Sequence, residues 1–183
     1  MRLLNLHPGL GPTAVKRIEA DVARPRPGLL VLRYLVTAAM RDLSLPPPAT
    51  PARADGLWRR TCFEAFLRPG PGEAYCEFNF SPSTEWAAYR FDGYRQGMRP
   101  AEGLEAPRIE PSATDEGFEL RVSLNLDHVP DLARADAWRL GLSAVIEDAA
   151  GAISHWALAH PPGKPDFHHA DGFVLDLPAP GSP

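Results

Sequence analysis

Phe118-Glu119-Leu120-Arg121-Val122-Ser123-Leu124-Asn125-Leu126 alternates apolar and polar residues without a slip. Successive side chains of an extended chain point to opposite faces, so a period of two marks a strand with one buried face and one wet face. Phe118, Leu120, Val122, Leu124 and Leu126 are predicted to face a core, and Glu119, Arg121, Ser123 and Asn125 to face solvent. A helix would need apolar residues at both three- and four-residue spacings, and no two apolar residues here stand three apart.

The same period recurs on either side. Over 138–146, Trp138, Leu140, Leu142, Ala144 and Ile146 oppose Arg139 and Ser143. Over 15–23, Ile18, Ala20 and Val22 oppose Glu19 and Asp21. Residues 29–38 form a nearly continuous apolar run, as expected of a central strand. Segments 61–67 and 73–80 flank Arg68-Pro69-Gly70-Pro71-Gly72, a connection suited to a hairpin. Further strands are expected at 85–91, 152–158 and 172–177.

Proline punctuates these segments. Its 21 copies cluster at 25/27, 46–51, 69/71, 107/111, 161–165 and 178–183. Proline has no N–H to give to a ladder or a helix interior, so the clusters mark connections. Helical candidates are short: 127–135 and a turn at 167–170. The expected fold is all-β, a two-sheet antiparallel β-sandwich of jelly-roll or immunoglobulin-like type with at most short helical turns. One domain is expected over 1–177, followed by a flexible, proline-rich tail at 178–183. A chain of 183 residues hides about 70% of its extended surface on folding, enough for a core without staples.

Composition excludes several functions. The net charge is −4, with 19 basic residues scattered among 23 acidic ones. Nucleic-acid binding needs Lys and Arg gathered on one face to displace counterions, so no nucleic-acid partner is expected. The first residues carry no apolar stretch of signal-peptide length, and no run approaches the ~18 apolar residues of a membrane span. A cytoplasmic location without membrane association is therefore expected, with Cys62 and Cys76 as reduced thiols.

Catalytic signatures are missing. There is no Gly-x-Ser-x-Gly elbow and no His-Glu-x-x-His zinc helix. Gly9-Leu10-Gly11 follows no predicted strand, and Pro12 removes a backbone donor that a phosphate would need. Cys62 and Cys76 fall on opposite arms of the predicted hairpin, where an in-register pairing could set them side by side. Their spacing fits no Cys-x-x-Cys site, and buried apolar thiols are the expected reading. Asn79-Phe80-Ser81 fits the glycosylation sequon, but without secretion Asn79 reads as a strand-end residue or a ligand amide.

Three polar constellations remain. Arg33, Glu64 and Glu77 interrupt apolar strands, so each lies either on a solvated sheet face or in a polar site. Whether Glu64 and Glu77 share a face depends on the hairpin register. Among the tryptophans, Trp138 and Trp156 follow the core parity, whereas Trp58, just after Asp55-Gly56, is the best candidate for an exposed ring. The third set is His155 and His160, followed by a proline-stiffened loop with Asp166, His168 and His169. These could be a polar surface loop, pocket groups or metal ligands.

Asp55-Gly56-Leu57-Trp58-Arg59-Arg60-Thr61-Cys62-Phe63-Glu64-Ala65-Phe66-Leu67, Tyr75-Cys76-Glu77-Phe78-Asn79-Phe80-Ser81-Pro82 and Trp86-Ala87-Ala88-Tyr89-Arg90-Phe91 resemble a bacterial DOMON-like domain. The stretches 155–160 and 165–169 are similar to that group too. DOMON-like domains resemble family 9 carbohydrate-binding modules, β-sandwiches that hold sugar ends between aromatic rings; other relatives bind haem. Trp58 and Glu64 match the modules' Trp and the Glu six residues on. Two positions depart from that pattern. Glu77 stands before Phe78-Asn79 where a basic residue is common, and His168, His169 and Asp171 stand where a second Trp would be.

The resemblance implies a noncatalytic module binding a carbohydrate or similar small polar ligand through Trp58, Glu64, Glu77, Asn79, Arg33, His155, Asp166 and His168. One alternative is haem held by Met40 or Met98 with His155 or His168. Another is a hydrolytic or metal-dependent enzyme using the Glu64/Glu77 pair or the His/Asp loop. No resident metal is expected, and no residue pattern specifies a cofactor or an oligomeric state.

Overall fold

A computed structural model describes residues 1–180. Twelve strands run through them: β1 (Arg2–Leu6), β2 (Arg17–Arg26), β3 (Leu29–Thr37), β4 (Cys62–Arg68), β5 (Tyr75–Phe80) and β6 (Trp86–Phe91), then β7 (Arg99–Pro100), β8 (Arg108–Thr114), β9 (Gly117–Asn125), β10 (Ala137–Glu147), β11 (Ile153–Ala157) and β12 (Leu175–Pro178). The pairings are antiparallel, in the order β7-β6-β5-β4-β10-β11-β1-β2-β3-β9-β8, with β12 added along the start of β10. β1 joins the two halves: Arg2–Leu4 pair with β2, and Asn5 and Leu6 pair with β11. The sheet curls so that side chains of β3 and β4 pack into one apolar cluster.

The core fills that interior, as the alternation requires. Leu30, Leu32, Tyr34 and Val36 of β3 are buried, and so are Phe118, Leu120, Val122 and Leu124 of β9. Phe63, Ala65 and Leu67 of β4 meet them from the other half in one apolar cluster. The Tyr34 ring lies 5.0 Å from Phe63, and its hydroxyl donates to the Glu64 carbonyl at 2.7 Å. Trp138 is fully buried and donates its indole N–H to the Leu132 carbonyl.

The strands at 29–38, 61–67, 73–80, 85–91, 118–126, 138–146 and 152–158 are present to within about two residues, the usual slack at element ends. The 172–177 segment becomes a strand only from Leu175. Three strands carry no readable period. β8 is an edge with Ile109 as its one buried residue, and an edge strand tolerates Pro111. β1 buries only Leu4, and β7 is two residues long. β1 also supplies a strand before Gly9-Leu10-Gly11, which the sequence reading did not expect, but no helix follows that turn.

Strand β2 passes through Pro25 to Arg26 by a register shift after Ala23, so Pro25 sits in a bulge, while Pro27 of the same cluster lies in the turn to β3. The 127–135 region holds a single α-helical turn, α1 (Pro130–Ala133), and the turn near 167–170 lies at Ala170–Gly172. Pro178 still pairs with Ala137, while 181–183 of the expected tail lie outside the described residues. No helix among the described residues is long and apolar enough to cross a membrane.

Cys62 and Cys76 are not side by side. Cys76 opposes Leu67 and points into the core, whereas Cys62 shares the parity of Glu64. Both are buried free thiols, and burial pushes Cys76 up to about 11.

Candidate functional site

β4 and β5 are buried on both faces. The face turned away from the core carries the unusual residues, and register decides which ones meet. Glu64 opposes Asn79 on β5 and Ser143 on β10; Glu77 opposes Phe66 on β4 and Tyr89 on β6; Val145 opposes His155 on β11. Cross-strand partners point to the same face. Tyr89, Glu77, Glu64, Val145 and His155 therefore form one floor across five neighbouring strands. Above it lies a cleft of about 380 Å³.

Three segments wall the cleft. The first carries Trp58 on a 3-10 turn that follows Gly56, whose φ of +74° suits glycine. Asp55 anchors this segment by accepting the Tyr89 hydroxyl proton. Trp58 is 51% exposed, with the Arg59 guanidinium 5.4 Å from its ring centre. The second wall is the turn after β6, with Arg95 and Met98; the third is the 159–174 loop, with Pro165, Phe167 and His168.

That loop is held down by a second apolar cluster containing Phe66, Tyr75, Phe91 and Phe173. Tyr75 and Phe91 stack at 4.7 Å, and the His168 ring presents its edge to Phe66 at 5.2 Å and Phe91 at 5.1 Å. Gly141 has no side chain to hold the loop away: a Cβ there would meet the Gly172 carbonyl at 2.9 Å. Asp166 ties loop to turn, accepting from Arg95 Nη2 at 2.8 Å, from Tyr94 and from the His168 amide.

The floor separates two carboxyl groups by environment. Glu64 is 3% exposed and accepts from the Ser143 hydroxyl at 3.2 Å. Burial, with the charge of neighbouring Glu77, pushes it well above the usual carboxylate range. Glu77 is 5% exposed and also raised by burial, but Asn79 donates to its Oε1 at 2.7 Å and Arg95 pulls the other way. Glu64 is thus the better proton holder and donor, and Glu77 the better acceptor.

His168 Nε2 stands 3.7 Å from Glu77 Oε2. This is not an ion pair at neutral pH, because burial, reinforced by Arg95, lowers the imidazole to about 4. Burial raises Tyr75 to about 12, so it keeps its proton, and its hydroxyl shares a hydrogen bond of 2.8 Å with His168 Nδ1.

These shifts set a pH dependence. The fold keeps His168 neutral, whereas an unfolded chain protonates it below its ordinary 6.5. Its contribution is whole above pH 6.5 and drains as pH falls toward 4, by about 3 kcal/mol at 1.36 kcal/mol per unit. Glu64 and Glu77 act with the opposite sign. Their contribution is whole below the ordinary 4.5 and is lost as pH rises through their raised values. Urea unfolding of His168→Asn between pH 4 and 7 is expected to show a flatter acid limb than wild type. Parallel limbs in the two proteins would contradict the assignment.

His155 borders a group with His7 and His160. His7 and His160 lie edge to face at 4.9 Å, and burial lowers His155 and His160. Among the described residues, no group of three or more His, Cys, Asp or Glu side chains is placed to hold a metal ion.

Of the residues singled out in the sequence, Trp58, Glu64, Glu77, His155 and His168 line the cleft. Asn79 lies beneath it, orienting Glu77, and Asp166 stands beside it in the loop clamp. Arg33 is elsewhere, which corrects its place in the expected set. It sits on the outward face of β3, 41% exposed, with two bonds to Glu119 at 2.8 and 3.1 Å. The solvated-face reading holds for Arg33 and fails for both glutamates.

The sequence reading missed Tyr89, Phe91, Arg95, Val145, Pro165 and Phe167. Tyr89 and Phe91 carry a signal, since they share the parity of Glu77 once β5 and β6 are registered; the turn and loop residues carry none. Met98 lies on the cleft rim, but Met40 lies in the Met40–Asp42 turn outside it. His168 has one ring nitrogen bonded to Tyr75 and the other directed at Glu77.

In fold, the chain is similar to solved carbohydrate-binding modules. A Caldicellulosiruptor kristjanssonii family 9 module solved with glucose matches 98% of this chain and 85% of its own, at 9% identity and a TM-score of 0.55. The same organism's family 9 module with cellotriose matches 98% and 83%, at 10% identity and 0.54. A Bacteroides uniformis protein inferred to bind carbohydrate matches 97% and 85%, at 13% identity and 0.62. At such identities the likeness is one of fold. No family model matches the chain, and no curated protein matches it.

Proposed function

We propose that this chain is a noncatalytic saccharide-binding module, a DOMON-like β-sandwich in one domain related to the family 9 carbohydrate-binding modules. The observation that carries the reading is the cleft itself: a half-exposed indole, Trp58, beside a floor where buried Glu64 and Glu77 sit in contrasting environments. A pyranose presents C–H faces and a rim of hydroxyls. Trp58 and Phe167 take the faces, Glu77 and His155 accept or exchange hydroxyl hydrogen bonds, and protonated Glu64 donates. Few polar groups on an otherwise apolar lining is the usual composition of a small-molecule site. The fold likeness to modules solved with glucose and cellotriose supports the same class of ligand.

Titration calorimetry against a panel of neutral mono- and disaccharides tests this reading, with chromatography of the mixtures after prolonged incubation. Expected are binding of at least one sugar with quenching of Trp58 fluorescence, and recovery of that sugar unchanged. No binding at concentrations up to ~10 mM, weaker than about −3 kcal/mol, would end the saccharide reading. Turnover of a bound sugar would end the noncatalytic one.

A further inference from the structure

A second cavity, of about 390 Å³, adjoins the cleft and shares two of its walls, Arg95 and Pro165. Its remaining surface comes from Tyr94, the 161–165 proline run and His169. Prolines and a tyrosine give C–H and ring surfaces suited to a sugar face, on a loop that three fixed backbone angles stiffen. The charge differs from that of the first cleft. Where Glu64 and Glu77 dominate there, here the cations are Arg95 and Lys164, and the one carboxylate, Asp166, already accepts from Arg95 and Tyr94. Lys164 is exposed and has no ion-pair partner among the described residues. One of only two lysines in the chain thus stands uncompensated at the mouth of a cavity.

Backbone conformation marks the same place. Arg95 has φ +54°, a left-handed value that costs a non-glycine residue free energy. The turn holds it there: Asp92 and Gln96 close the turn by a backbone bond at 2.9 Å, and the Arg95 amide bonds the Tyr75 hydroxyl. The result is a guanidinium standing between the two cavities. Asp166 takes its Nη2 at 2.8 Å, and Tyr94 lies beside the guanidinium.

We propose that the two cavities are consecutive subsites for an acidic oligosaccharide: the first takes one sugar ring, and the second takes the next, whose carboxylate pairs with Lys164 and Arg95. This rests on the saccharide-binding reading and adds to it the charge and length of the ligand. A uronic acid fits better than a neutral residue because an ammonium with no partner gains by meeting a carboxylate, while hydroxyls alone leave it only its water.

The test compares disaccharides that differ only in oxidation at C6: cellobiose with its uronate, and galactobiose with digalacturonate. Calorimetry at low salt is expected to give about tenfold tighter binding of at least one acidic member over its neutral partner. Lys164→Ala should bring the acidic sugar down to the neutral level and leave the neutral sugar unchanged, and Lys164→Arg should retain most of the preference. Salt near 1 M, where the screening length is about 3 Å, should erase the difference. Equal affinities in the wild type, or a preference that survives Lys164→Ala, overturn the second subsite while leaving saccharide binding in the first cleft intact. Failure of every sugar, neutral and acidic, overturns both together.

Discussion

Trp58→Ala is expected to weaken saccharide binding by about 30-fold, near 2 kcal/mol, while leaving the fold almost untouched. Both halves of that expectation come from exposure. The indole is 51% exposed, and nothing in the core packs against it, so its removal opens no cavity. Surface truncations of this kind stay within about 0.5 kcal/mol of wild type, roughly 1–2 °C at this chain length. Binding, by contrast, loses the larger and more exposed of the two wall rings, Trp58 and Phe167, that take the sugar faces. Calorimetry and thermal unfolding of the same preparation read the two quantities separately. A binding loss under threefold would remove Trp58 from the site. A melting shift of many degrees would make it a structural residue after all.

Trp138→Ala should do the reverse. Trp138 is fully buried, donates to the Leu132 carbonyl at 2.9 Å and carries the Arg24 guanidinium 3.8 Å over its ring. Truncation leaves a cavity and strips a buried cation of its aromatic partner. It also takes from the Leu132 carbonyl the shorter of its two hydrogen bonds, so that it keeps only the 3.4 Å bond from the Ala135 amide among the described residues. Arg24, whose pKa burial already lowers, keeps only the Ala135 carbonyl as an acceptor among the described residues. The sum is about 4 kcal/mol, a large part of the 5–15 kcal/mol typical of a domain. In urea this should lower the unfolding midpoint by about 2 M. A loss below 1 kcal/mol would mean that the core relaxes around the gap. Any folded fraction should still bind sugar, because Trp138 lies on the face of β10 opposite the cleft.

The opposite fates of these two tryptophans, and of Arg33 and Glu64, separate two kinds of information. Period-two alternation assigns Trp138, Leu140 and Leu142 to one face whatever the strand's neighbours are, because a pleated backbone has only two sides. The core of β9 and β10 was therefore legible from local order alone, as was the exposure of Trp58 at a glycine-led turn, whereas the apolar run of β3 hid which of its residues face inward. The joining strand β1 and the edge β8 were not legible, since a strand with one buried residue leaves no period to read.

Arg33 and Glu64 look alike in the sequence, each a charge within an apolar strand. Only tertiary structure tells them apart. The outward face of β3 meets solvent, so Arg33 pairs at the surface with Glu119. The outward face of β4 is roofed by the 159–174 loop, nearly a hundred residues further along, and the register of β4 with β5 and β10 brings Glu77, Asn79 and Ser143 around Glu64. Alternation says which side a residue takes. What covers that side, and which carboxyl therefore keeps its proton, depends on contacts between segments that share no local pattern.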